Sequence, residues 1–140
     1  MTIQEIEKEI IEEFEMFESW EDKYQYIIDM AKDLPALENQ LKTDDRLIKG
    51  CQSKVWLHSL VENGNIIYKA DSDAIITKGV VALLVRVLSN HPPDEIINTN
   101  LEFIDKIGLK EHLSPTRANG LVSMIKQMKL DALALKTKVA

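Results

Sequence analysis

Cys51 is the single cysteine of the 140-residue chain, and it lies in the run Lys49-Gly50-Cys51-Gln52-Ser53-Lys54. A thiol attacks as the thiolate, and positive charge close by favours that form. The lysines at 49 and 54 therefore point to an activated sulfur, with Gln52 and Ser53 as polar donors to an anion. Gly50 permits the tight turn that would present such a side chain. A lone cysteine also serves as a small packing residue, and the residues by themselves leave both readings open. Other chemistry is poorly represented. One cysteine excludes an internal disulfide and a metal site built only of thiolates. His58, His91 and His112 show no ligand spacing, the five glycines form no phosphate loop, and the acidic residues show no distinct pair.

The elements that must position Cys51 follow from periodicity. Thr2 and Glu5 form a T-x-x-E capping box, and Ile3, Ile6, Ile10, Phe14 and Phe17 follow at helical spacing. Ser19 with Asp22 predicts a second N-cap, and Tyr24, Ile27, Ile28, Ala31 and Leu34 continue the apolar stripe. Pro35 disfavours helix at the residue before it, so this helix should end near Asp33. Residues 36–45 read as a short helix or turn followed by a polar link.

The period then changes. Arg46–Ile48 and Val55–Val61 are rich in β-branched and aromatic residues, with Gly50 interrupting them. Asn63-Gly64 predicts a tight hairpin into Ile66–Ala70. Two or three antiparallel strands should result, with helices on one face, because a lone hairpin is unstable in water. Trp56 reads as a core strand residue and Trp20 as an anchor for the second helix. Asp71-Ser72-Asp73 predicts a cap for a helix from about Ala74 to Leu88, apolar nearly all round and therefore central. Asn90-His91-Pro92-Pro93 stops it, and Asp94–Thr99 and Glu102–Ile107 read as short helices. Ser114-Pro115 opens a last helix that buries Leu121, Ile125, Met128, Ala132 and Leu135. With no repeat or linker in between, residues 1–140 read as one α+β domain.

Composition sets the outer bounds. A net charge of −6 makes nucleic acid a poor partner. The apolar stretch near residues 79–88 falls well short of the roughly 20 residues that span a bilayer. MTIQEIEKEI lacks a basic leader region, so the expected location is the cytoplasm, away from membranes. Charge is unevenly spread: nine acidic residues and one lysine occupy positions 1–22, whereas Arg117, Lys126, Lys129, Lys136 and Lys138 face only Asp131 after Thr116. A basic last helix suits an acidic partner, and it equally suits its own C-terminal dipole.

Gly50-Cys51-Gln52-Ser53 followed by Val55-Trp56 resembles the signature of the SufE family of sulfur-acceptor proteins. Trp20-Glu21, Lys23-Tyr24, Tyr26-Ile27-Ile28 and Leu34-Pro35 are similar to that family's N-terminal helical segment. Asp71-Ser72-Asp73-Ala74 with Lys78-Gly79 resembles the segment after its hairpin. His112-Leu113-Ser114-Pro115-Thr116-Arg117, then Gly120-Leu121 and Met124-Ile125, resembles the start of its C-terminal helix. These motifs stand in the family's order over roughly residues 20–125.

The resemblance implies a protein that takes sulfur from the persulfide of a pyridoxal-phosphate cysteine desulfurase, raises that enzyme's turnover, and passes the sulfur to an iron–sulfur scaffold. Cys51 would be the acceptor, supported by Gln52 and Ser53. Arg117 matches the family's arginine, and its acidic residue falls on Asp71 or Asp73. Pyridoxal phosphate would belong to the partner, and this chain would need no cofactor or metal of its own. It would act as a carrier and not as an enzyme. The implied fold, shared with IscU-type scaffolds, is an antiparallel sheet of about three strands with helices packed against it. Arg117 could instead pair with acidic residues of the first helix turn or of the surface, and Asp71 or Asp73 could simply cap a helix. Two other functional classes stay open: a thiol-dependent enzyme, which needs a base or a resolving thiol that the sequence does not identify, and a helical scaffold in which Cys51 only packs. The oligomeric state is open too, a homodimer included.

Overall fold

In a computed structural model that describes residues 1–139, the chain begins with two helices, α1 (Ile3–Glu15) and α2 (Trp20–Asp33). Both predicted caps form: Thr2 Oγ1 accepts from the Glu5 N–H, and Ser19 Oγ accepts from the Asp22 N–H. Ile3, Ile10 and Phe14 of α1 and Ile27 and Ala31 of α2 are buried, as the apolar spacing requires. α2 stops at Leu34, whose extended backbone is the conformation that Pro35 imposes on its predecessor.

A hairpin follows, with β1 (Val55–Glu62) antiparallel to β2 (Asn65–Ser72) in register from Glu62↔Asn65 to Val55↔Ser72. Asn63 and Gly64 both take positive φ, 53° and 82°, as a two-residue turn of this twist demands. Val55 and Leu57 of β1 and Ile66, Tyr68 and Ala70 of β2 share the core face. The opposite face is covered by the connection from α2. There Arg46 Nε donates to His58 Nδ1, and the Lys42 ammonium lies 5.4 Å from the Trp56 ring centre. Trp56 is consequently half-buried on that outer face and is not a core residue.

The sheet has two strands among the described residues, not three. Arg46–Ile48 contributes only a single bridge, Leu47 to Trp56, with the Ile48 N–H donating to the Val55 carbonyl at 2.8 Å. Its strand propensity is overridden on both sides. Arg46 is held in a 3₁₀ turn over Asp44–Arg46, and Gly50 turns the chain away with φ 93°.

α3 (Ile75–Leu88) is the central helix, with eight of its residues buried. It approaches α2 so closely that a Cβ on Gly79 would fall 2.4 Å from the Ile27 carbonyl oxygen. Its N-cap is Ala74, without a side-chain cap, so neither Asp71 nor Asp73 plays the predicted capping role. Two short helices, α4 (Pro93–Asn98) and α5 (Phe103–Lys106), lead to α6 (Pro115–Leu135), where Ser114 Oγ caps Arg117 N–H and Pro115 occupies the first turn. α6 lies along β1 and packs against α4. The Tyr68 hydroxyl donates to the Met128 carbonyl at 2.6 Å, and Ser59 to the Asp131 carboxylate at 2.7 Å. Glu7, buried in α1, accepts from the Phe103 N–H and so closes the free end of α5 onto the core.

Candidate functional site

Cys51 sits in the turn between the Leu47 bridge and β1, and the turn is fastened at both ends. Upstream, Gly50 lies against α6: a Cβ there would be 2.4 Å from Ser123 Oγ, and its φ of +93° disfavours any side chain. Downstream, Asp73 Oδ1 accepts from the Lys54 N–H at 3.0 Å. The Lys54 carbonyl accepts from Ser72 Oγ and from the Asp73 N–H. Asp73 is therefore the clamp that holds the Cys51 turn to the start of α3. Capping residues and clamping residues have the same composition, so the sequence alone does not distinguish them.

The thiol is half-buried, and Sγ donates to the Gly120 carbonyl at 3.6 Å. Burial pushes its pKa up from the ordinary thiol value. The expected activation by lysines does not occur. Lys49 is turned outward into a separate hollow with Asp45 and Asp131, and Lys54 is exposed. Neighbours along a tight turn point to different sides, so closeness along the chain does not bring their charges to the sulfur.

Beside Sγ lies a cavity of about 410 Å³. Cys51, Gln52 and Ser53 form one wall, the first turns of α6 with Arg117 and Gly120 form another, and Thr77, Val80 and Met124 line the rest. Gln52 and Arg117 are exposed at this site, whereas Thr77, Val80 and Met124 are buried. Arg117 forms no ion pair among the described residues. Two of the acidic residues of α1 are instead engaged by Arg86, which makes a two-bond contact with Glu13 and lies 3.6 Å from Glu9. A permanent cation without an internal partner faces a cavity that also holds a thiol, which is an arrangement suited to an anionic sulfur.

Asp71 lies elsewhere. It is buried beneath the α2–β1 connection, accepting from Leu37 N–H and Ser72 N–H and pairing with Lys42 and Lys78 at 3.3 and 3.2 Å. Burial raises its pKa, but the two N–H donors and the Lys78 charge outweigh that and hold it below the ordinary carboxylate value. Its work is structural. No group of three potential ligands able to hold a metal ion occurs among the described residues. The histidines are engaged one by one: His58 with Arg46, His91 with the Leu88 and Met1 carbonyls, His112 with the Gly108 carbonyl and stacked on Trp20. Thr77 and Val80 are site residues that sequence reasoning misses, because α3 is apolar nearly all round and its cavity-facing side is decided only by packing.

Comparison with known proteins places the chain in a family and matches its fold. A family model described as an Fe-S metabolism associated domain, SufE, matches residues 8–132. The SufE-like protein 1 of Arabidopsis thaliana, chloroplastic/mitochondrial by name, is 39% identical over 132 residues, covering 94% of this chain. The chain spans only 36% of that plant protein's length. An uncharacterised SufE-like protein of Rhizobium meliloti (strain 1021) is 39% identical over 129 residues, covering 89% of this chain and 92% of its own. The solution structure of a hypothetical protein from Thermus thermophilus superposes with a TM-score of 0.79 at 21% identity, covering 94% of this chain and 96% of that one, and so shares the fold. Among the described residues no helix is long and apolar enough to cross a membrane. With the matched region enclosing the Cys51 turn, the hairpin and the start of α6, the chain belongs to the SufE family of iron–sulfur metabolism.

Proposed function

We propose that this protein accepts sulfur on Cys51 from the persulfide of a pyridoxal-phosphate cysteine desulfurase, raises that enzyme's turnover, and delivers the sulfur to an iron–sulfur scaffold. The observation that carries this reading is the meeting of Cys51 and Arg117 on one cavity, in a chain of this family. The chemistry balances without a redox partner. Sγ, as thiolate, attacks the outer sulfur of the donor persulfide; a new S–S bond forms, the donor's S–S bond breaks, and its electron pair leaves on the donor thiolate. The proton released by Cys51 ends on that leaving thiolate. Arg117 would offset the negative charge carried by the transferred sulfur, and Gln52 and Ser53 supply further donors at the rim.

A carrier has no need of a base of its own, and here none contacts the thiol. The only hydrogen-bond partner of Sγ among the described residues is a carbonyl oxygen, which cannot take up the proton. The thiol-enzyme reading lacks its base for that reason. With a single cysteine, a received persulfide cannot collapse into an internal disulfide. Burial at rest favours the protonated thiol, and exposure of the sulfur would come on docking to the donor. The test is the rate of cysteine desulfuration by a desulfurase with and without this protein. Stimulation by wild type and none by Cys51→Ser supports the proposal; equal stimulation by both contradicts it and favours the scaffold reading. Location in the cytoplasm and the pairing with this class of enzyme belong to the same proposal.

A further inference from the structure

Gly120 stands in the second turn of the 21-residue α6, and its carbonyl accepts from Cys51. Glycine inside a helix is less favourable than alanine, because it gives up more backbone freedom. The backbone does not require it, since Gly120 is not among the positive-φ residues. Resting packing does not require it either. A Cβ at this position would lie 3.5 Å from Sγ and 4.0 Å from the Cα and Cβ of Cys51, all ordinary van der Waals contacts. Gly79 and Gly50 differ in kind, for there the added atom would collide at 2.4 Å. The resting thiol thus leaves a methyl-sized space empty beside its sulfur, on the cavity wall.

We propose that Gly120 is a specificity-determining position, whose missing side chain reserves room for the outer sulfur of a Cys51 persulfide. Gly120 has this role only on the sulfur-acceptor reading of Cys51. An S–S bond is about 2.05 Å long, more than half the gap between Sγ and the site of an alanine methyl. In orientations along α6 that methyl would press on the outer sulfur. The persulfide would be left with orientations toward the cavity mouth, where water and small thiols reach it. In loading, the Sγ–S bond forms, the donor S–S bond breaks and the donor fragment leaves with the electron pair, so no oxidant enters.

The test compares wild type, Gly120→Ala and Gly120→Ser, each checked for folding by circular dichroism and thermal melting. Each is loaded by a desulfurase with cysteine and, separately, by inorganic polysulfide, which needs no protein docking. Cyanide is then added to remove the outer sulfur as thiocyanate. The expected result is a folded alanine variant, at least as stable as wild type, holding about fivefold less sulfur from either donor. Its remaining sulfur is lost faster to cyanide, and the serine variant is more impaired. Wild-type loading and retention in Gly120→Ala with polysulfide overturns the role of Gly120. Wild type that loads from polysulfide but from no desulfurase overturns the sulfur-acceptor reading instead, and the two failures are told apart.

Discussion

At Cys51, burial favours the thiol over the thiolate, and the Gly120 carbonyl is an acceptor that only the protonated sulfur can use. The rate of iodoacetamide alkylation in the folded protein should therefore rise at a higher pH than in the urea-unfolded chain. The sign for stability follows. A group whose folded pKa is raised holds its proton while the unfolded chain has lost it, so that contribution is present below the unfolded pKa and fades as pH climbs through the folded one. Cys51→Ser should flatten this alkaline decline. Arg117 makes the opposite kind of contribution: it is exposed, and it forms no ion pair among the described residues. Arg117→Ala should change stability by no more than about 0.5 kcal/mol. It should slow persulfide loading about tenfold, the scale of a charge-assisted hydrogen bond. Arg117→Lys should recover part of that rate, keeping the charge but not the planar fork. Unchanged loading in Arg117→Ala, followed by intact mass, would remove Arg117 from the site. Both residues are legible through their motifs. The placement of Lys49 and Lys54 is not, because residue spacing says nothing about which way a turn points its side chains.

At the scale of elements, the Cys51 turn is a short bridge between two fastenings, Gly50 on α6 and Asp73 on the Lys54 N–H. Asp73→Ala removes one of them. Exposed as it is, the loss should cost about 1 kcal/mol, yet alkylation of Cys51 should become faster as the turn loosens. Gly79→Ala serves as the contrast. Its Cβ would strike the Ile27 carbonyl, so it should cost about 1–3 kcal/mol by overpacking α2 against α3. Its folded fraction should load sulfur normally. Thermal melts and alkylation rates on the two variants separate clamp from scaffold. Helices α1, α2 and α6 are readable because caps and apolar periods act locally, and α3 because its run of apolar residues is long enough for a buried helix although its predicted cap does not form. The fate of the third strand is not, for Arg46–Ile48 has strand-forming residues but is shortened by the 3₁₀ turn before it and by Gly50 after it.

Across the whole molecule, polar anchors tie the connections to the core. Asp71 joins Leu37, Lys42 and Lys78 beneath the α2–β1 link. Glu13 is bound by Arg86, with Tyr26 donating to it as well, which fastens α1 and α2 to α3. Hydrogen bonding to Arg86 holds the Glu13 pKa down against its partial burial, and Asp71 is also lowered. Carboxylates with lowered folded pKa values stabilise above their unfolded pKa and lose that stabilisation as pH falls through the folded one. Stability should therefore drop as pH falls below the ordinary carboxylate values of 4.5 and 3.8. Asp71→Asn should lose about 2 kcal/mol at neutral pH and show a shallower acid decline in urea titrations. The cavity beside Cys51 is the least legible feature, since it is assembled from a turn, α3 and α6, segments joined only by tertiary packing.

Intact mass spectrometry after incubation with a cysteine desulfurase and free cysteine tests the central claim most directly. Wild type should gain the mass of one sulfur, about 32 Da, while Cys51→Ser should gain none. An unmodified wild type, under conditions in which the desulfurase's own persulfide survives, would contradict sulfur acceptance at Cys51.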